Sequence, residues 1–264
     1  MSENKTVDFD ELRKLKIFVA TSSVNGQVSD VFFKSMIKSI FFFNYHKISL
    51  DVVTIPMDGS LSRTKNTFIT AFLNSNCSHL IFIDSGIEFK PEDLLRLIVS
   101  NKDVICGTCP KRGINWDKLR KYLSNNLSCS NSEFLAAATD CDLVLKFSED
   151  KNQLIIEDGL LEVKYTNSSF MCIKREAVEK MIDDYQELEY EVPVEGNSLR
   201  PPVKMYTLFD SILLIDEKKY LNEDYSFCER WTSKGGKIFL DPNITIKLQN
   251  FVGLQSLPLI SYFN

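Results

Sequence analysis

Histidine is almost missing from this chain: two in 264 residues, His46 and His79. Both fall within segments that read as regular secondary structure, so both are taken as packing residues. No apolar run approaches the roughly 20 residues needed to span a bilayer, and the opening MSENKTVDFDELRKLK is too polar for a secretory signal. The expectation is a soluble, cytoplasmic protein. Positive charge is not in excess either. With 31 Lys and Arg against 36 Asp and Glu, the net charge of -5 excludes a general attraction to nucleic acid or anionic lipid. The seven cysteines form no even framework and sit in core-like stretches such as VIC and FMCIK, which suits reduced, buried thiols rather than disulfides. No internal repeat or low-complexity linker divides the chain. At 44% hydrophobic residues it reads as one domain, 1–264, with a polar extension at 1–15 and a tail at 254–264.

What is present is an alternation of strand-like and helix-like segments. KIFVATS from Lys16 and ISLDVVTIP from Ile48 read as strands on either side of a helical VSDVFFKSMIKSIFFFNYH. An Asp58-Gly59 turn leads into a helix over Ser60 to Asn76, on which Arg63 and Asn66 share a face near the start. The stretch Cys77 to Phe89, CSHLIFIDSGIEF, carries a buried parallel strand ending on one carboxylate, Asp84. A helix beginning at Pro91 and the short strand DVIC follow. This order predicts an α/β fold with a mostly parallel central sheet and helices on both faces. In open sheets of that kind ligands sit at the carboxyl ends of the strands, where Asp84 lies.

From Gly107 to Thr139 the period is lost, and surface loops with one short helix at Asp117 to Leu123 are expected. LVLKF, LIIED, LLEVKY and SFMCI then read as antiparallel strands added to the sheet. Later come a helix from Lys174, a strand-like VKMYTLF, a helix capped by Asn222-Glu223-Asp224 and ending at Gly235-Gly236, and a last strand KIFLDP.

Five blocks in this order, SLSRTKN, SHLIFIDSGIEF, VICGTCPKRGINWDK, FMCIKREAVEKM and NEDYSFCERWTSKGGKIFLDP, resemble the nucleotide-sugar glycosyltransferases of the GT-A fold. The similarity is to the small soluble group encoded by large DNA viruses, phages and bacteria, and it runs over most of residues 16 to 253. The resemblance implies a nucleoside-diphosphate sugar as donor and a glycan or other hydroxyl as acceptor. It also implies a divalent cation, manganese or magnesium, held by an Asp-x-Asp motif against the diphosphate. The physical need is that the leaving diphosphate gains negative charge as the glycosidic bond breaks.

Here the motif reads Asp84-Ser85-Gly86, without its second carboxylate. Glu88 would reach the same ion only if the chain turned sharply at Gly86, because each two-residue step along a strand rises roughly 6 to 7 Å. The family's metal-binding histidine after the last strand is replaced by Gln249 and Asn250, whose amides carry no charge. A metal at Asp84, Gln249 and Asn250 would therefore be weak or dispensable. The resemblance places the acceptor's general base at Asp224, with Glu223 beside it. Around the donor it places Arg63, Asn66, Asp84, Ser85 and Lys111, with Arg112 next to Lys111. Thr21 and Ser22, at the end of the first strand, are positioned to hydrogen-bond a base or ribose.

Two alternatives stay open: a nucleotide-sugar-binding pseudoenzyme of the same fold, and a thiol oxidoreductase built on Cys106-Gly107-Thr108-Cys109. The second requires the motif to open a helix that lowers a thiol pKa.

Overall fold

The computed structural model describes residues 7–57, 59–126, 128–148, 153–193 and 202–248. In chain order the elements are α1 Phe9–Leu12, β1 Lys16–Ser23, α2 Asp30–Tyr45, β2 Ser49–Pro56, α3 Leu61–Leu73, β3 His79–Ile83, β4 Ile87–Glu88, α4 Pro91–Val99 and β5 Val104–Thr108. Then follow α5 Trp116–Asn125, α6 Asn131–Ala137, β6 Leu143–Leu145, β7 Ile156–Glu157, β8 Leu160–Thr166, β9 Phe170–Lys174, α7 Arg175–Asp184, β10 Glu189–Val192 and β11 Val203–Tyr206. The last are β12 Ile212–Leu214, β13 Lys219–Leu221, α8 Glu223–Ser233, β14 Ile238–Thr245 and β15 Lys247–Leu248.

The strand alternation sorts side chains to two faces. On β3, Leu80 and Phe82 join one apolar cluster with Phe68 and Phe72 of α3 and Phe227 and Trp231 of α8. Ile81 and Ile83 join the other, with Phe32, Met36 and Phe43 of α2 and Leu94 and Leu97 of α4. Each such side chain, taken fully out of water, contributes about 1.5–3 kcal/mol. Two packed faces explain why β3 after His79 is continuously apolar rather than alternating with polar residues.

The main sheet runs β2-β1-β3-β9-β5-β14-β8-β6, with β7 on β8. Strands β2, β1, β3, β5 and β14 point the same way, as the alternation of strands and helices predicts. The segment SFMCI departs from expectation. As β9 it does not extend the sheet at an edge but enters its middle, antiparallel between β3 and β5. The final strand also differs. It does not stop at Pro242 but continues to Thr245 through a register shift that follows Asp241. Asp241, nearly inaccessible, takes two hydrogen bonds from Arg96 of α4, which anchors the irregularity.

Within 107–139 the structure adds α6 to the expected short helix α5. Its Ser130 and Glu133 form a reciprocal cap in a stretch whose polarity masks any apolar period. The hairpin pairings β10 with β11 and β12 with β13 are also new. None of the seven cysteines, all of them among the described residues, is in a disulfide, and five are buried. Among the described residues no helix is long and apolar enough to cross a membrane.

Both histidines pack. His46 stacks on Phe9 at 4.1 Å between ring centroids, and so ties the N-terminal turn to the end of α2. His79 is buried at the start of β3 with Nδ1 2.9 Å from Ser78 Oγ. Burial, and then the charge of Lys174, push His79 down from 6.5 to about 4. Between those values the unfolded chain holds more protons than the folded one. Stability is therefore lost as pH falls through that window, by at most about 3 kcal/mol. Urea midpoints measured at about pH 7 and about pH 4.5 are expected to drop for the wild-type chain, and by clearly less for His79→Leu.

Candidate active site

Four segments meet at the carboxyl ends of β1 and β3. Strand β3 delivers Asp84 as its first residue past the ladder, and the Asp84 N–H donates to the Ser169 carbonyl at 2.9 Å. The Asp84 carboxylate accepts from Ser169 Oγ at 2.7 Å, so the turn entering β9 holds it from below. Strand β1 contributes Ala20 and Ser22 to a narrow cleft, which Phe68, Ile83 and Ser168 also line. Thr21 alternates with these two and so faces the α2 side of the sheet, fully buried.

The fourth contributor is Lys65, which is not among the expected site residues. It lies on the buried stripe of α3 that continues through Phe68, Ile69 and Phe72, and its side chain is only 7% exposed. Its Nζ donates to Asp224 Oδ1 at 2.5 Å and reaches Glu223 Oε1 at 3.4 Å. Burial by itself would push this ammonium down. The charges of Asp224 and Glu223, and more weakly Asp84, outweigh it and hold Lys65 above the ordinary lysine value, so it stays charged. Burial likewise drives the Asp84 carboxyl above the usual carboxylate range, against the Ser169 hydrogen bond and the charges of Lys65 and Arg112. Sequence carries one signal for Lys65: a lysine at a core-facing helical position, three and seven residues before two buried phenylalanines.

Glu223 and Asp224 open α8, where acidic residues commonly serve the helix dipole. Here the cap is Asn222, whose side chain accepts the Tyr225 N–H at 2.9 Å. That leaves both carboxylates to Lys65. The structure thus brings Asp84, Ser22, Glu223 and Asp224 to one place.

Other expected site residues go elsewhere. Asn66 is buried, with Nδ2 donating to Asp210 Oδ1 at 2.7 Å and Oδ1 accepting the Phe209 N–H at 2.9 Å. Together with Arg230, which donates to the Leu208 and Asp210 carbonyls, it clamps the loop that seats Phe209 against Phe227 and 5.6 Å from the Lys65 ammonium. Arg63 is exposed and lines a separate, more open groove with Ser62, Tyr190, Thr207 and Ser211. Lys111 pairs with Asp142 at 3.2 Å. Ser85 accepts the Ser29 N–H through its carbonyl.

The described residues do not fit the divalent cation that the resemblance implies. The chain does turn at Ser85-Gly86, as the Ile87 N–H to Asp84 carbonyl contact marks, yet Glu88 runs toward Lys247 at 3.9 Å and not toward Asp84. Gln249 and Asn250 lie outside the described residues. Among the described residues no group of three or more His, Cys, Asp or Glu is placed to hold a metal ion. The carboxylates that remain surround an ammonium. A dication about 4 Å from it would meet a repulsion of about 8 kcal/mol at an effective dielectric constant of about 20.

The Cys106 to Cys109 pair does not form a redox site. Burial pushes the Cys106 thiol up to about 12 and Cys109 higher still, and the next helix begins only at Trp116.

No protein-family model matches this chain, and no curated protein matches it. Among solved structures, the chain is similar to A197 from STIV at 13% identity and a TM-score of 0.48, over 90% of this chain and 86% of that one. It is also similar to a glycosyltransferase involved in the glycosylation of the major capsid of PBCV-1, at 9% identity and a TM-score of 0.32, over 65% and 67%. A third is GalNAc-T7 with UDP, GalNAc and Mn2+, at 9% identity and a TM-score of 0.45, over 88% of this chain and 43% of that one.

The Asn66 clamp yields a direct expectation. Asn66→Ala leaves a buried N–H and a carboxylate without their partner and should lower unfolding stability by about 1–3 kcal/mol, read as a shift in denaturant midpoint. Asn66→Asp, which sets two carboxylates face to face, should cost more.

Proposed function

We propose that this chain is a GT-A glycosyltransferase that moves a sugar from a nucleoside-diphosphate sugar to a hydroxyl of a glycan acceptor, acting in the cytoplasm. One observation carries the reading: Asp84, at the end of β3, lines a narrow cleft together with one buried lysine, and that lysine also holds Glu223 and Asp224, about 140 residues later. Open α/β sheets bind ligands at such strand ends.

In this reading the nucleotide lies over the end of β1 beside Ser22, and the diphosphate lies toward Asp84, Ser85 and Arg112. The acceptor hydroxyl attacks the anomeric carbon, and the bond from that carbon to the diphosphate oxygen breaks. The nucleoside diphosphate leaves with the electron pair, and the acceptor's proton passes to the Asp224 carboxylate. One oxygen of Asp224 is bonded to Lys65, so the other takes the proton. General base assistance of this kind is worth about 10²- to 10⁴-fold in rate.

A second reading draws on the same contact. Asp224 held at 2.5 Å by Lys65 suits a chain that binds the donor and does not turn it over.

A thermal-shift screen of nucleoside diphosphates and their sugars separates the outcomes. A compound present at about a hundred times its dissociation constant adds about 2.7 kcal/mol, and at least one uridine or guanosine diphosphate sugar is expected to raise the melting temperature. Slow release of free sugar from that compound, abolished in Asp224→Asn, supports transfer chemistry. Binding with no release supports the second reading, and no shift with any donor removes both.

A further inference from the structure

We infer that Lys65 takes the place of the divalent cation in this cleft, holding the donor's pyrophosphate through its ammonium, and that donor binding proceeds without metal. The inference rests on the glycosyltransferase reading above and goes beyond it, because it names the group that neutralises the phosphates.

Three observations converge on the lysine. First, its position: the side chain crosses from α3 to the start of α8 and lines the same cleft as Asp84, Ser22 and Ser168. Second, its cost: a lysine on the core stripe of a helix is desolvated. An apolar residue of similar volume at such a place is commonly as stabilising or more so, so the buried ion pair has no need to exist for stability. Third, its partners: the bond to Asp224 is short, while that to Glu223 is stretched to 3.4 Å and is the one a competing phosphate oxygen displaces most readily.

In this arrangement Glu223 acts as a placeholder for the ligand. The arriving diphosphate takes over from it as an oxygen partner of Nζ, while Asp224 keeps its hold and stays oriented toward the acceptor. A lysine does this as a compact point charge with three donors, which suits clustered phosphate oxygens. The missing second carboxylate at Gly86 belongs to the same design. A site that supplies its own positive charge has no use for an additional anion beside the phosphates, and the backbone needs only to turn there.

The test is calorimetric titration of the full chain with UDP and with GDP, each in EDTA and in manganese chloride. The variants Lys65→Met and Lys65→Arg are titrated in parallel, with thermal melts to establish folding. For the wild type, dissociation constants in the two buffers should agree within about threefold for whichever nucleotide binds. Lys65→Met should bind at least about tenfold more weakly in EDTA. Manganese should recover part of that loss, because Asp84, Glu223 and Asp224 are then left without a cation. Lys65→Arg should retain metal-independent binding.

A merely structural lysine would not convert a metal-independent site into a metal-responsive one. Wild-type binding seen only with manganese overturns the inference and leaves the glycosyltransferase reading intact. So does Lys65→Met binding as tightly as wild type in EDTA. If Lys65→Met fails to fold, the wild-type comparison between buffers decides alone. If neither nucleotide binds in either buffer, the glycosyltransferase reading falls and this inference falls with it.

Discussion

A charged amine inside an apolar helix face is the constraint around which this cleft is arranged. In a poorly solvated site Lys65 keeps its charge only while carboxylates stand next to it, and removing one partner from such a pair typically costs about 3–5 kcal/mol. That requirement fixes the first turn of α8 against the first turns of α3, across 159 residues of sequence. The neighbouring contacts act in the same direction. Asn66, one residue along α3, and Arg230, deeper in α8, both grip the loop between β11 and β12 by its backbone. Phe209, in the centre of that loop, is sandwiched with Phe227 and meets Phe82 edge-on. Polar clamps and aromatic contacts thus set one floor beneath one ammonium, and the cleft walls are only as exact as that floor.

Much of the architecture was legible in advance, for a simple reason. Strands with both faces buried are apolar throughout, helices repeat at 3.6 residues, and the order of the two dictates a parallel sheet. Asp84 at the end of its strand and Glu223-Asp224 at the start of a helix followed from the same boundaries. What stayed hidden depends on partners distant in sequence. Periodicity identifies 170–174 as a strand but says nothing about which strands it joins, so its central position could not be read. Asn66 looks like a ligand group when only its spacing from Arg63 is considered, yet both ends of its amide are spent on a loop more than 140 residues away. Lys65 lies between those two residues, but spacing from Arg63 favours a surface face and the lysine belongs to the buried one.

The insertion of β9 has a consequence for how this protein comes to exist. Strands β3 and β5 follow one another along the chain within the main sheet, joined through β4 and α4, and run the same way, but they are not paired; each is bonded to β9, and the other side of β5 belongs to β14. A nascent chain that has emerged only as far as residue 169 therefore carries β5 with no neighbour on either edge and β3 with one edge bare. Bare edges of apolar strands invite pairing with other chains. The amino-terminal alternation of strands and helices, for all its outward likeness to a self-contained nucleotide-binding half, is not a separable folding unit. Its sheet closes only when the last third of the polypeptide has left the ribosome, so cotranslational folding here is deferred rather than stepwise.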